Sequence, residues 1–206
     1  MYFLLLLLAA DLAYIVLHLL LRLTPLLDNP LLALTRDRGY PEFYQYVKVF
    51  WIILLLVMTG VTTRTAGYAA WVLLFVYLLL DDALQLHENL GVQLAASFGF
   101  VPLVGLRTQD LGELAVSAVS GTLLLGLISG SYLRGADPFR QASRRLLLLV
   151  LVVVFFGVFV DMLHMMLNTG PTMDLVFEVI EDGGELVAMS VVAWYVFLLT
   201  IRNARS

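Results

Sequence analysis

The chain contains no cysteine. That absence removes disulfides, thiolate metal sites, cysteine-held iron–sulfur clusters and cysteine nucleophiles together, so any metal ion must be held by oxygen or imidazole. Charge is scarce as well: Asp, Glu, Lys and Arg make up 14% of the 206 residues, against about a quarter in an average soluble domain. The 12 lysines and arginines form no basic patch that would suit a nucleic acid. No phosphate-binding glycine loop followed by Lys occurs, and no Gly-x-Ser-x-Gly, so the corresponding NTP-hydrolysing and α/β-hydrolase chemistries drop out. The segment 1–23 lacks the positive n-region and small-residue cleavage site of a signal peptide and reads as a membrane span.

What the chain has in abundance is hydrocarbon. Hydrophobic residues reach 61%, and the mean hydropathy is +0.94. Apolar runs of about twenty residues recur, the length that crosses a bilayer at 1.5 Å per residue. The expected fold class is all-α: a polytopic transmembrane helix bundle forming a single domain over 1–206, with about six spans at 1–23, 43–63, 67–90, 110–133, 145–169 and 173–201. Pro25, Pro30, Gly39 and Pro41 mark the stretch 24–42 as an extramembrane loop. The apolar but short stretch 91–106, with Gly99, Pro102 and Gly105, reads as interfacial or re-entrant. Ser117, Ser120, Gly121 and Gly126 suggest close helix packing in the fourth span, and Trp51, Trp71 and Trp194 are read as interfacial anchors or lipid-facing bulk.

Arg64, Arg134, Arg140, Arg144, Arg145, Arg202 and Arg205 fall on the side shared by both termini, and Arg22, Arg36, Arg38, Lys48 and Arg107 on the other. The positive-inside rule then puts both termini in the cytoplasm, for a multi-pass protein of the bacterial inner membrane.

The ionisable residues inside these spans carry the functional signal, because each costs roughly 2.5–3.5 kcal/mol at a helix centre. At 100° per residue, Asp174, Glu178, Glu181, Asp182 and Glu185 share a stripe of the sixth span. Asp161, His164 and Asn168 share one of the fifth, and Asp11, Tyr14, His18 and Arg22 one of the first. In the third, Asp81, Asp82, Gln85, Glu88 and Asn89 point one way, and His87 joins them only from a flank or through a distorted last turn. These residues come late in odd spans and early in even ones, Glu113 included, which places them in one leaflet.

Neither the third nor the sixth span holds a Lys or Arg near its acids, so protons, a metal ion, Arg22 or the histidines must neutralise them. Carboxylates with imidazole suit Fe, Mn or Zn. Helix bundles hold such ions in pairs through carboxylates and Glu-x-x-His motifs, of which Asp161-Met-Leu-His164 is a shortened version. The expected metal ligands are Asp81, His87, Glu88, Asp161, His164, Glu181, Asp182 and Glu185, with His18 an alternative imidazole and room for two ions. Asp82 or Glu178 would act as general base or orient a ligand.

Three stretches resemble a pattern in uncharacterised bacterial multi-span membrane proteins: Asp81-Asp82 before His87-Glu88, Phe159-Val-Asp161 before His164, and Glu181-Asp182 before Glu185-Leu. The resemblance covers parts of three helices and implies no activity. Gly183-Gly184, between those last acids, would admit a close neighbouring helix or a bend.

Three functions compete on these grounds. The leading one is a metal-dependent membrane oxidoreductase or hydrolase acting on a lipid-soluble substrate that enters between helices. The second is a cation or proton transporter, against which the dry opposite leaflet counts. The third is a non-catalytic subunit whose acids meet a membrane-protein partner. A scarcity of Lys and Arg near the acids argues against an anionic substrate.

Overall fold

A computed structural model describes residues 2–103, 106–167 and 170–204. Hydrocarbon offers no partner to a backbone amide, so each apolar run satisfies its own by coiling. Helices α1 (Tyr2–Leu23) and α2 (Tyr40–Thr62) are followed by α3 (Tyr68–Leu84), α4 (Leu86–Phe98) and α5 (Thr108–Arg134). Then come α6 (Asp137–Val154), α7 (Asp161–Leu167), α8 (Pro171–Glu178) and α9 (Gly184–Ala204). Two π-helical turns, Phe155–Val160 and Val179–Gly183, join α6 to α7 and α8 to α9 without ending the rod. Among the described residues there is no strand, only an isolated bridge between Leu103 and Leu106.

Among the described residues five helices are long and apolar enough to cross a membrane, with Asp137–Leu167 and Pro171–Ala204 each counted through its π turn. The pair α3 and α4, bent by 75°, makes the sixth if it is one span. The all-α bundle of about six spans therefore stands. Helix α2 starts three residues earlier than the expected 43, with Pro41 in its first turn, where proline's missing N–H is no loss. Helix α6 extends past the expected 145 to Asp137, carrying Arg140, Arg144 and Arg145 on helix rather than loop.

The expected third span does not run straight through 90. Gln85 adopts φ 52° and ψ 47°, a left-handed conformation rare for a residue with a side chain, and ends α3. Asp81 makes the break tolerable: its Oδ1 accepts the His87 N–H at 2.9 Å, capping the start of α4. Helix α4 then packs along α5. Gly105 and Asn168 lie outside the described residues.

Helix α9 is the axis of the bundle and packs against α1, α2 and α6. Its core is apolar and tight, with Ile52, Leu56, Trp71, Phe75, Leu146, Val192 and Val196 at 0% exposure apiece. The Trp71 indole N–H donates to Ser143 Oγ at 3.0 Å, so this tryptophan is a core residue, neither anchor nor lipid-facing bulk.

Glycines matter where helices touch. A Cβ on Gly112 would stand 2.1 Å from the Gly91 carbonyl oxygen, and one on Gly91 2.6 Å from the Glu113 nitrogen, so α4 and α5 meet backbone to backbone. A Cβ at Gly121 or Gly126 would meet nothing within 4 Å, which overturns the expectation that these two mediate packing. Gly112→Leu should therefore overpack the α4–α5 contact, costing about 1–3 kcal/mol or more, while Gly121→Leu leaves thermal unfolding in detergent nearly unchanged. Equal effects of the two would refute this assignment of the contact.

Candidate functional site

The intramembrane polar residues do gather toward one end of the bundle, but not as one cluster. They sort into three groups, and the π turn at Val179–Gly183 is the reason. An extra residue in that turn shifts the helical register, so the expected single stripe of α8 and α9 divides among different neighbours.

The first group lies against α1. Leu34 N–H donates to His18 Nδ1 at 3.1 Å, so Nε2 carries the ring proton and donates to Glu178 Oε2 at 3.2 Å. Arg22 Nη2 donates to Glu178 Oε1 at 2.9 Å. With both oxygens engaged, Glu178 ties α8 to α1 and is poorly placed for the general-base role expected of it. His18, fully buried with both nitrogens used, is a structural residue rather than an alternative ligand.

The second group is histidine-bearing. Asp81 Oδ2 pairs with His87 Nδ1 at 2.9 Å, and Glu181 Oε2 with His164 Nδ1 at 3.2 Å. His164 also has its Nε2 3.7 Å from Asp174 and lies stacked on Phe177. Asp161 sits within electrostatic reach of both imidazoles and of Asp110 and Glu113. Just outside the spans, the Asp110 carboxylate hydrogen-bonds Arg107 and holds its guanidinium above the ordinary range, a fixed positive charge at the head of α5.

The third group surrounds a polar cavity of about 180 Å³ between the 24–39 loop, α2, α3 and α9. Asp37, Glu42, Asp82, Asp182 and Glu185 line it, with Arg36 at its edge. Glu42 accepts hydrogen bonds from the Arg38 backbone N–H and the Tyr46 hydroxyl. Gln45, on the wall, is only 7% exposed. Its Nε2 donates to Glu185 Oε1 at 2.9 Å, which fixes the amide's orientation and leaves Oε1 buried without a donor among the described residues.

One turn deeper, Lys48 is buried completely. Its Nζ donates to Asp11 Oδ1 at 3.1 Å, the Leu186 carbonyl at 2.6 Å and Ser190 Oγ at 3.2 Å, and lies 4.6 Å from the Tyr44 ring centre. Lys48 had been counted among the charges that orient the spans, and Asp11 placed on one stripe with Tyr14, His18 and Arg22; the structure pairs the two inside the bundle. A lone Lys in one apolar span and a lone Asp in another, in the same leaflet, was the signal that could have found it.

Of the expected ligands, the structure brings Asp182 and Glu185 together with Asp82 at the cavity, and Asp161, His164 and Glu181 at the histidine group. Asp81 and His87 pair with each other, and Glu88 lies near Gln85, whose Nε2 is 3.5 Å from it. Among the described residues no three Asp, Glu or His side chains stand arranged to hold a metal ion directly. Sequence reading missed Gln45, Glu42, Asp37 and Lys48.

Behind the cavity wall lies an apolar groove of about 570 Å³ on the outer flank of α1, α6 and α9. Ile15, Val152, Phe156, Ile180 and Val187 are among its lining, which includes no ionisable side chain. Gly183 and Gly184 form its floor, and the close approach expected of them is present: Cβ atoms there would meet Ile15 at 3.3 Å and Phe156 at 2.4 Å.

Removing one half of the buried pair leaves a charge stranded in hydrocarbon, so Lys48→Met alone should cost about 3–5 kcal/mol. Lys48→Met with Asp11→Leu should recover most of that loss in unfolding measurements on the detergent-solubilised protein. Strictly additive effects would show that the pair is not coupled.

No curated protein and no solved structure matches the chain. A family model described as a domain of unknown function (DUF8692) matches residues 1–201, far more than the three helix stretches that carry the resemblance, and the chain belongs to that family.

Proposed function

We propose that this protein is a multi-pass membrane protein of the bacterial inner membrane, both termini cytoplasmic, that binds a hard divalent cation in the acid-lined cavity and uses it in a reaction on a lipid-soluble substrate. The observation that carries the reading is the Gln45 Oε1 atom, a buried acceptor without a donor on the wall of a cavity that five carboxylates share. A cation satisfies both the orphan oxygen and the repelling acids. The donors at the cavity are all oxygens, because each imidazole is engaged elsewhere. That favours Mg²⁺, Ca²⁺ or Mn²⁺ over the Fe or Zn that a histidine-rich set would suit.

A water occupies roughly 30 Å³ of liquid, so the cavity has room for a hydrated ion. Magnesium in particular keeps several waters and takes one or two carboxylates directly. A bound cation supplies Lewis acidity and a more acidic water. Asp82, Asp182 and Glu185 would hold it, Gln45 would orient Glu185, and of the two expected bases Asp82 is the one at the cavity. The lipid-soluble substrate would come from the groove side. Arg36, in the cavity lining, is the cationic side chain nearest to hand for an anionic group, since Lys48 and Arg22 are held by Asp11 and Glu178.

A second reading, proton or cation transfer, is favoured by the Gln45–Glu185 hydrogen bond at the cavity and the Lys48–Asp11 pair one turn deeper, with Lys48 in electrostatic reach of Glu185. Against it, the path toward the other end is closed by Ile52, Leu56, Val192 and Val196, with the Thr59–Thr200 hydroxyl pair beyond.

Purified protein should bind Mn²⁺ near one equivalent by electron paramagnetic resonance, with Mg²⁺ competing, and Asp182→Asn/Glu185→Gln should weaken binding by roughly tenfold or more, about 1.4 kcal/mol per tenfold. No binding at millimolar Mn²⁺ by a folded protein would sink the proposal, and proton flux in proteoliposomes abolished by Glu185→Gln would install the second reading.

A further inference from the structure

The groove and the cavity are two sides of one helical turn. Asp182, Glu185 and Leu186 face the cavity, while Gly183, Gly184 and Val187 face the groove. The partition between them is a single layer: a Cβ on Gly183 would touch Ile15 of the groove at 3.3 Å and Leu34 of the cavity at 3.9 Å.

Along the helix the groove extends from Val179 to Val191. That is twelve helical rises, or roughly 18 Å at 1.5 Å each. One leaflet of bilayer hydrocarbon is roughly 15 Å deep, half of about 30 Å. The groove thus has the length of one lipid chain standing in its own leaflet. Its upper end follows directly on Glu178, which is bound by Arg22, a side chain 44% exposed. Polar anchorage stands where a headgroup would be, and unbroken hydrocarbon lies below it.

We infer that the groove holds one hydrocarbon chain of a membrane amphiphile, oriented with its polar head beside Arg22 and Glu178, about one helical turn from the cavity residue Asp182, and that this amphiphile is the substrate class of the site. The inference rests on the cation reading only for the word substrate; the chain site stands on the groove itself. The thin glycine partition explains why residues 183 and 184 carry no side chains: bulk there would push Phe156 and Ile15 outward and close the groove.

The protein is reconstituted in nanodiscs with a phospholipid bearing a photoactivatable diazirine midway along one chain, irradiated, and the labelled residues mapped by mass spectrometry. Label is expected on Ile15, Val152, Ile180 or Val187 at several times the level on Leu123 and Leu127, exposed residues of α5 outside the groove. Ile180→Trp, which fills the groove from a lipid-exposed position, should abolish the groove label, and Val152→Trp provides the same test should Ile180→Trp unfold. Equal labelling of groove and α5 face would mean annular lipid only and would overturn the inference. Mn²⁺ binding, read on the same preparations, separates the two claims. Groove label without Mn²⁺ binding overturns the cation reading and the substrate assignment with it. Mn²⁺ binding with uniform label overturns the groove alone.

Discussion

In a bilayer an ionic group without a partner has nowhere to go, and the Lys48–Asp11 pair is where this chain meets that constraint most severely. Both side chains are fully buried, and the lysine spends its three protons on Asp11, the Leu186 carbonyl and Ser190. Those partners lie on α1 and α9, while Lys48 is on α2, so one nitrogen pins three spans at a single depth. Everything above that level follows from the same fixation. Gln45, one turn up α2, is held opposite Glu185; His18, two turns up α1, is held opposite Glu178.

The two π turns do the complementary task. An unbroken α-helix from Pro171 would have put Glu178, Glu181, Asp182 and Glu185 on one stripe, where like charges repel. The turn at Val179–Gly183 fans them out, and each finds a different environment: Glu178 the arginine of α1, Glu181 the histidine of α7, Asp182 and Glu185 the cavity. The facing turn at Phe155–Val160 makes room for this. A Cβ on Gly157 would come within 2.8 Å of Glu185 Oε2, so the helix is bare where the carboxylate passes.

This division explains what the sequence could and could not reveal. The spans were legible because apolar runs of bilayer length have one solution, and the polar end of the bundle was legible because alternating helix directions fix depth by counting. Direction around the helix was not. No proline or glycine in Leu80–Leu90 announces the break at Gln85, which exists because Asp81 caps the next helix from six residues back. The π turns likewise have no local marker beyond Gly157 and Gly183-Gly184. Angular placement at 100° per residue fails across each such defect, which is how Glu178 came to share a stripe with Glu181, Asp182 and Glu185; the distorted turn that His87 needed is present at Gln85 and brings its imidazole onto Asp81. Gln45 and Lys48 were missed for a different reason: they are single polar residues in an otherwise apolar helix and show their meaning only against α9.

The arrangement also bears on why acids are retained in such number. Structural anchoring accounts for Glu178, Asp81 and Asp11, each of which has a cationic or imidazole partner. It does not account for the cavity, where Asp37, Glu42, Asp82, Asp182 and Glu185 face Arg36 as the only cationic side chain of the lining among the described residues. Packing alone would be better served by apolar residues at Asp182 and Glu185, since a half-buried carboxylate without a cationic partner destabilises the fold. Their presence beside an orphan amide oxygen is intelligible if the positive charge arrives from outside, and the apolar groove across the glycine partition gives that charge something to act on.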